Sequence, residues 1–210
     1  MVKKMIDYYY HFGEKFDEKI TPKHMTKYNF VDRTIDKNKY LTDYAKNKAL
    51  DNYDANIEYF KKLNKKDFDK ELNNILQLYN FEQITDLSKV KGERGIYVLV
   101  LDEYRQFYIG QSDTDIRQRI LRHFKIKIPF QRVPFVKYDT LPIDAFKPLD
   151  TTRIYVSIIH NQDKINDRES KLIQNSSSKY MLNKTIGGKA YTYFDLAVRL
   201  SVGRIKKDIK

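Results

Sequence analysis

The first part of the chain has apolar residues at helical spacing. Across residues 41–63, and again across residues 68–79, an apolar side chain recurs every three or four positions. This spacing places the apolar side chains on one face of a helix, so the pattern predicts two amphipathic helices. Asn64 and Asp67 interrupt the pattern, and we therefore expect a helical hairpin. Residues 1–38 are rich in tyrosine and show no clear period, so no structure is predicted for them.

After residue 90 the period changes from helical to extended. Short apolar runs predict three strands, at residues 95–101, 105–109 and 153–159. Apolar stripes at helical spacing predict two helices, at residues 116–124 and 167–176. Ser112 and Asp115 resemble a capping box, so we expect them to open the first of these helices. The order along the chain is therefore β-β-α-β-α.

These elements predict an α+β fold with two parts. Residues 91–210 are expected to form the core, a small three-stranded antiparallel sheet flanked by helices. An irregular, proline-bearing insertion is expected near residues 125–152, and a closing C-terminal helix after Gly187-Gly188. Residues 1–90 are expected to be a mostly helical extension. Since each helix of the hairpin has one apolar stripe, we expect the hairpin to dock on the core or on a second copy of itself.

Positive charge is concentrated in the second part. The net charge is +12, with 17 Lys and Arg against 15 Asp and Glu in residues 1–90, and 23 against 13 in residues 91–210. Such an excess suits a polyanionic partner, and nucleic acid is the interpretation we favour. A generally lysine-rich proteome is the alternative that the charge alone leaves open. A membrane surface fits less well, because the chain has no basic amphipathic segment.

Several kinds of site and location are disfavoured by what the sequence lacks. There is no cysteine, which excludes disulfides and thiolate metal sites, and the four histidines lack the spacing of zinc ligands. No apolar run approaches about 18 residues, and the N-terminus has no signal-peptide core. We therefore expect a cytoplasmic protein that does not contact a membrane.

Ionisable side chains on the two later helices suggest a site. Arg119 and His123 are four residues apart and project from one side of a helix, at the rim of its apolar stripe. Glu169 lies on the apolar face of the next helix. Because a buried, unpaired carboxylate is costly, Glu169 needs a cation. A divalent metal would meet this need, and so would an ion pair with Arg153 or Lys171.

Two tripeptides on the first pair of strands, Gly95-Ile96-Tyr97 and Tyr108-Ile109-Gly110, complete the set. Isoleucine and tyrosine favour strands, so the tripeptides alone carry little weight. Combined with four polar side chains later in the chain, they make residues 93–190 resemble the GIY-YIG nuclease family. That family also carries an arginine, a histidine, a glutamate and an asparagine in this order, which are here Arg119, His123, Glu169 and Asn183.

The resemblance implies a divalent-metal-dependent endonuclease that hydrolyses DNA phosphodiester bonds. It makes Tyr97 the general base, with Tyr108 bonding a phosphate oxygen or the attacking water. Arg119 would grip the phosphate, and Glu169 would bind one Mg²⁺, for which Mn²⁺ is expected to substitute. A free tyrosine has a pKa of ~10, so Tyr97 needs nearby positive charge at neutral pH, from Arg119, His123 or the metal.

Two positions fit the family pattern less firmly. Asn183 is chosen on the resemblance alone, because asparagine is common in loops, and it is expected to steady the site by hydrogen bonding. Some members of the family carry a lysine just after the second tripeptide, where this chain has Gln111-Ser112. Another donor must then help to lower the pKa of the tyrosine.

The biological role is less sharply indicated than the chemistry. Homing enzymes of the family usually continue into a long linker and a DNA-binding domain, whereas 27 residues follow Asn183 here. We therefore expect a restriction or defence nuclease that acts on DNA. The alternatives are a phage or mobile-element nuclease of the nicking or homing type, and a catalytically dead module that binds nucleic acid. A homodimer, at least on DNA, is a further expectation.

Overall fold

The computed structural model describes residues 9–16, 30–31, 39–126, 128–129 and 138–183. Four helices lie in these ranges: α1 (Lys39–Lys61), α2 (Lys65–Leu78), α3 (Ile116–Lys125) and α4 (Asp163–Asn175). The strands in these ranges are β1 (Tyr9–His11), β2 (Glu14–Phe16), β3 (Phe30–Val31), β4 (Glu82–Ile84), β5 (Gly95–Leu101), β6 (Gln106–Ser112), β7 (Ile128–Pro129) and β8 (Arg153–Ile158). The α+β class is confirmed.

Some predicted features lie outside the described residues. These are the closing helix after Gly187-Gly188 and part of the predicted insertion. Among the helices that the structure does describe, none is both long enough and apolar enough to cross a membrane.

A four-stranded antiparallel sheet forms the centre of the fold, with the strand order β4-β8-β5-β6. β5 has a neighbour on each side and all seven of its residues are buried, which explains its continuous apolar run. The prediction of a three-stranded sheet is wrong by one strand, because β4 also pairs with β8. β4 has three residues, of which only Ile84 is buried, so no apolar run marks it in the sequence.

The helical hairpin α1–α2 is confirmed, and it docks on the sheet. Asn64 caps α2, since its side-chain oxygen accepts hydrogen bonds from the backbone N–H groups of Lys66 and Asp67. Phe68 of α2 is buried, and its ring centroid lies 6.4 Å from that of Phe107 on β6. Apolar residues of both helices belong to the same buried cluster as those of the sheet. The hairpin therefore buries its apolar stripes against the core.

A short β-hairpin, β1–β2, also packs on the core. Nε2 of His11 lies 2.7 Å from the carbonyl oxygen of Thr151, just before the start of β8. The guanidinium of Arg117 on α3 donates a hydrogen bond to the carboxylate of Glu14 at 2.7 Å. These contacts tie the hairpin to α3 and to the segment before β8.

Two helices begin at residues other than those predicted. Asp115 alone is the N-cap of α3, and its carboxylate accepts a hydrogen bond from the N–H of Gln118 at 2.9 Å. The hydroxyl of Ser112 instead accepts from the N–H of Asp115, which closes the turn before the helix. The predicted capping box is therefore wrong. α4 begins at Asp163, one turn earlier than predicted, and Ile165 in that added turn is buried.

Candidate active site

The two tripeptides lie on the neighbouring strands β5 and β6. In their antiparallel register Tyr97 is opposite Gly110, and Tyr108 is opposite Leu99. Since residues two apart on a strand share a face, both tyrosine side chains lie on one face of the sheet as a diagonal pair. Their ring centroids are 6.4 Å apart. The sheet thus places two phenol groups side by side.

Close packing requires the glycine of each tripeptide. A Cβ added to Gly110 would clash with the ring and the hydroxyl of Tyr97, which lies over it. Gly95 has a φ of +149°, and a Cβ there would clash with the backbone carbonyl of Ser157 on β8. A larger residue at Gly110 would displace the tyrosine, so this glycine is needed for the position of the Tyr97 hydroxyl.

Helix α3 brings Arg119 and His123 to the tyrosines. The hydroxyl of Tyr97 lies 2.9 Å from Nε2 of His123, within hydrogen-bond distance. The imidazole also stands edge-on to the ring of Tyr108, with the centroids 5.1 Å apart. Arg119, one turn before His123, lies close enough to both tyrosines to lower the pKa of each hydroxyl. These four residues, all proposed from the sequence, form one contiguous cluster.

Both tyrosines are held in their neutral form. Burial raises the pKa of Tyr97 well above its ordinary value, and the neighbouring Tyr108 adds to the rise. Burial also raises the pKa of Tyr108, and the negative charge of Glu169 is the second cause. The charge and the hydrogen bonds of Arg119 lower both pKa values without outweighing burial. The positive charge that Tyr97 was expected to need is therefore present, but it does not ionise the phenol.

Glu169 on α4 lies near the same cluster, since its charge acts on both tyrosines. Of the two cations considered as its partners, Arg153 pairs with Asp102 and Lys171 pairs with Asp167. Within the described ranges, no group of three or more His, Cys, Asp or Glu side chains is arranged to hold a metal ion. A single carboxylate nevertheless fits Mg²⁺, which keeps several waters and often binds one or two carboxylates together with substrate phosphates.

Gln111, which directly follows the second tripeptide, binds helix α4. Its Nε2 donates a hydrogen bond to Oδ1 of Asn166 at 3.0 Å, which joins β6 to α4. Asn166 precedes Glu169 by about one turn of the helix. The hydrogen bond between Gln111 and Asn166 thus holds α4, which carries Glu169, against β6, which carries Tyr108.

Asn183 binds the backbone of β6. Its Oδ1 accepts a hydrogen bond from the N–H of Ile109 at 2.9 Å, and its Nδ2 donates to the carbonyl of the same residue at 2.7 Å. The side chain is buried. Asn183 therefore braces the strand between Tyr108 and Gly110, where the sequence led us to expect a steadying hydrogen bond.

One residue of the cluster was missed in the sequence. Asp144 lies in a 3₁₀ turn, Ile143–Ala145, inside the predicted insertion, and its carboxylate is 2.6 Å from Nδ1 of His123. An irregular segment has no period from which the direction of a side chain could be deduced. A carboxylate between two apolar neighbours is a hint of a specific partner, but it does not identify His123 as that partner.

A polar cavity of about 360 Å³ opens beside Arg119. It is lined by residues 111–115, which end β6 and form the turn after it, and by Gln118, Arg119 and Arg122 of α3. Arg119 thus borders both the cavity and the tyrosine cluster, so an anion in the cavity could reach its guanidinium.

Comparison with known proteins agrees with this geometry at the level of the family. Residues 93–181 match the family model described as the GIY-YIG catalytic domain. The matched segment contains Tyr97, Tyr108, Arg119 and Glu169 as well as His123. Comparison with curated proteins and with solved structures finds no match. Residues 93–181 are therefore identified as a GIY-YIG catalytic domain, and this domain indicates a nuclease-type function.

Proposed function

We propose that the protein is a divalent-metal-dependent endonuclease that hydrolyses phosphodiester bonds in DNA. The proposal rests on the hydrogen bond between the buried hydroxyl of Tyr97 and Nε2 of His123, within reach of Arg119. A phenol in this position can exchange a proton with the imidazole, while the guanidinium can bind an anion. Attack by water on a phosphodiester requires both a proton acceptor and a cation at the phosphate.

Tyr97 and His123 act together as the base. The hydroxyl of Tyr97 donates to Nε2 of His123 and keeps an oxygen lone pair for the attacking water. As the water oxygen bonds to phosphorus, the water proton passes to Tyr97 and the phenolic proton passes to His123. The raised pKa of Tyr97 is compatible with this transfer, because the phenol regains a proton as it loses one and no free phenolate forms.

Arg119 binds the phosphate under attack. Its guanidinium lies beside two neutral hydroxyls, and an anionic phosphate oxygen is a stronger acceptor than either. A phosphate that enters the polar cavity therefore draws the guanidinium toward it, and the planar fork can bind two phosphate oxygens. This movement would uncover Tyr97, which is 0% exposed, so that water can reach its hydroxyl. Tyr108, beside it, bonds a phosphate oxygen or the water.

Glu169 would hold the metal ion. We propose one Mg²⁺, or Mn²⁺ in its place, with this carboxylate and the substrate phosphate among its ligands. When bound, the metal supplies Lewis acidity at the phosphate and at the departing 3′ oxygen. The 3′ oxygen takes up a proton from solvent as its bond to phosphorus breaks. Asn183 acts as a positioning residue by keeping the strand of Tyr108 in place.

We further propose a restriction or defence role, with cytoplasmic DNA as the substrate. The net charge of +12 supports binding to the DNA backbone. The alternative is a phage or mobile-element nuclease, and sequencing the ends cut from a genomic library separates the two. Many cuts at a short site indicate restriction, whereas rare cuts at a long site indicate a homing-type enzyme. Double-strand breaks at symmetric sites would support the proposed homodimer on DNA.

Supercoiled plasmid DNA tests the proposal. The full chain should cut plasmid in Mg²⁺ but not in EDTA. Glu169→Gln is expected to abolish cleavage, because the amide keeps the shape of the side chain but is a poor ligand for Mg²⁺. Asp167→Asn, at an exposed position of the same helix, is the control and should cut like the wild type. Cleavage by Glu169→Gln at the wild-type rate would refute the metal assignment, and DNA binding without cleavage by the wild type would support the dead module.

A further inference from the structure

His123 uses both nitrogens of its ring. Nε2 lies 2.9 Å from the hydroxyl of Tyr97, and Nδ1 lies 2.6 Å from Oδ1 of Asp144. An ionised carboxylate can only accept a hydrogen bond, so Nδ1 must carry the proton that it donates to Asp144. Nε2 of the neutral imidazole is then left as an acceptor for the Tyr97 hydroxyl. The carboxylate thereby selects the tautomer that the proton transfer requires.

The fold holds Asp144 in this position. The residue is in the middle of the 3₁₀ turn Ile143–Ala145, whose two outer side chains are buried, and two backbone hydrogen bonds close the turn. The side chain of His123 is 8% exposed and that of Asp144 is 24% exposed. The carboxylate therefore meets the imidazole at the edge of the core, where water still solvates part of it.

We propose that Asp144 is a positioning residue of the active site. It fixes the tautomer and the orientation of His123, and its charge stabilises the imidazolium that forms when Tyr97 gives up its proton. This inference rests on the proposed function, since it assigns Asp144 to the same proton transfer. One proton moves from water to the oxygen of Tyr97, a second moves from that oxygen to Nε2, and Asp144 stays ionised. An aspartate plays this part toward the histidine of serine proteases.

A purely structural role for Asp144 leads to a different expectation. If the carboxylate only attached the insertion to α3, its removal would lower the stability of the protein. The tautomer of His123 and the kcat of the folded fraction would then be unchanged. The two roles can therefore be separated by measuring the tautomer and the turnover.

Side-chain ¹⁵N NMR of the histidines in the full chain reports the tautomer without any need for activity. The signals of His123 are assigned by their loss in His123→Gln. We expect the Nδ1–H tautomer in the wild type and a loss of this preference in Asp144→Ala. A wild-type His123 protonated on Nε2 instead, or an unchanged tautomer in Asp144→Ala, would overturn the inference.

Plasmid cleavage provides the second readout. Asp144→Ala is expected to lower kcat by about 10²-fold, within the range for general-base assistance, with the KM for DNA changed by less than about twofold. Asp144→Glu, which keeps the carboxylate, should recover part of the loss. Glu103→Ala removes an exposed carboxylate from another 3₁₀ turn and should leave kcat unchanged.

The outcomes distinguish this inference from the proposed function. If Asp144→Ala does not fold, Asp144→Asn replaces it, because the amide has nearly the same shape without the charge. A wild-type kcat in either folded variant would overturn the positioning role. If the wild type cuts no DNA but its NMR spectra change as expected, the positioning of His123 is supported and the proposed function is overturned.

Discussion

Burial determines how Tyr97 can act as a base. Its side chain has no exposed surface, and burial raises the pKa of the phenol well above its ordinary value. Arg119 lowers that pKa through its charge and its hydrogen bond, but the neutral phenol still prevails. A neutral phenol can take a proton from water only if it passes on its own, and His123 lies at the distance needed to receive it. Removing the hydroxyl of Tyr97 therefore tests this role.

Replacing Tyr97 by phenylalanine removes this hydroxyl and keeps the ring that packs over Gly110. Cleavage is expected to slow by about 10²–10⁴-fold, the usual effect of losing general-base assistance, while DNA affinity changes little. Single-turnover cleavage and fluorescence anisotropy measure the two quantities. Tyr44→Phe, at an exposed position of α1, is the control. A loss smaller than about tenfold would assign the base role to Tyr108 or to His123 alone.

At the scale of elements, the outer strand β6 depends on a segment from beyond the sheet. β6 is the last strand in the order β4-β8-β5-β6, so its outer side has no partner strand in that sheet. The backbone of Phe107 instead forms hydrogen bonds with Tyr180 and Leu182, each 2.8 Å long. Asn183 extends this contact to Ile109. Residues 180–183 thus cover the edge of the strand that carries Tyr108.

Asn183→Ala leaves both the N–H and the carbonyl of Ile109 without these partners. Because an unpaired buried polar group costs about 1–3 kcal/mol, the free energy of unfolding is expected to fall by a similar amount or more. Urea denaturation measures the change, and hydrogen exchange at the Ile109 amide should become faster. Asn175→Ala, at the exposed end of α4, serves as the control. Equal unfolding free energies for the two variants would show that Asn183 does not brace β6.

At the scale of the whole molecule, the helical extension and the core share apolar contacts. The ring of Phe68 on α2 lies 5.9 Å from that of Tyr180 and 6.4 Å from that of Phe107. The carboxylate of Glu71 on the same helix accepts a hydrogen bond from the N–H of Ser177. The extension therefore supports the segment that covers β6. Since its helices lie against the core, we also propose that choice of substrate depends on the extension.

A fragment of residues 91–210 lacks the helical hairpin and β4. Because it exposes the apolar surface that Phe68 covers, it is expected to self-associate or precipitate and to lose cleavage. Sedimentation and plasmid cleavage measure both effects, and a fragment of residues 80–210, which keeps β4, separates the strand from the hairpin. A soluble, monomeric 91–210 fragment that cuts with unchanged sequence preference would show that the extension is dispensable.

The sequence by itself determined the features that depend on near neighbours in the chain. Short apolar runs predict the strands β5, β6 and β8. Apolar residues at intervals of three to four predict α1, α2 and α3, because the face of a helix repeats at that interval. The same logic placed Arg119 and His123 on one side of α3. It could not select Asn183, which required the family resemblance because asparagine is common in loops.

Only the tertiary structure decided the features that join distant parts of the chain. The pairing of β4 with β8 and the contact between Asp144 and His123 have no local period, so no pattern in the sequence predicts them. The ionisation of Tyr97 is also decided by the tertiary structure. The charge of Arg119 can be read from the sequence, but the burial that outweighs it arises only when the sheet and α3 close around the phenol. The sequence therefore identified the chemical groups, whereas packing decided their protonation and their partners, because the free energy of ionisation depends on desolvation.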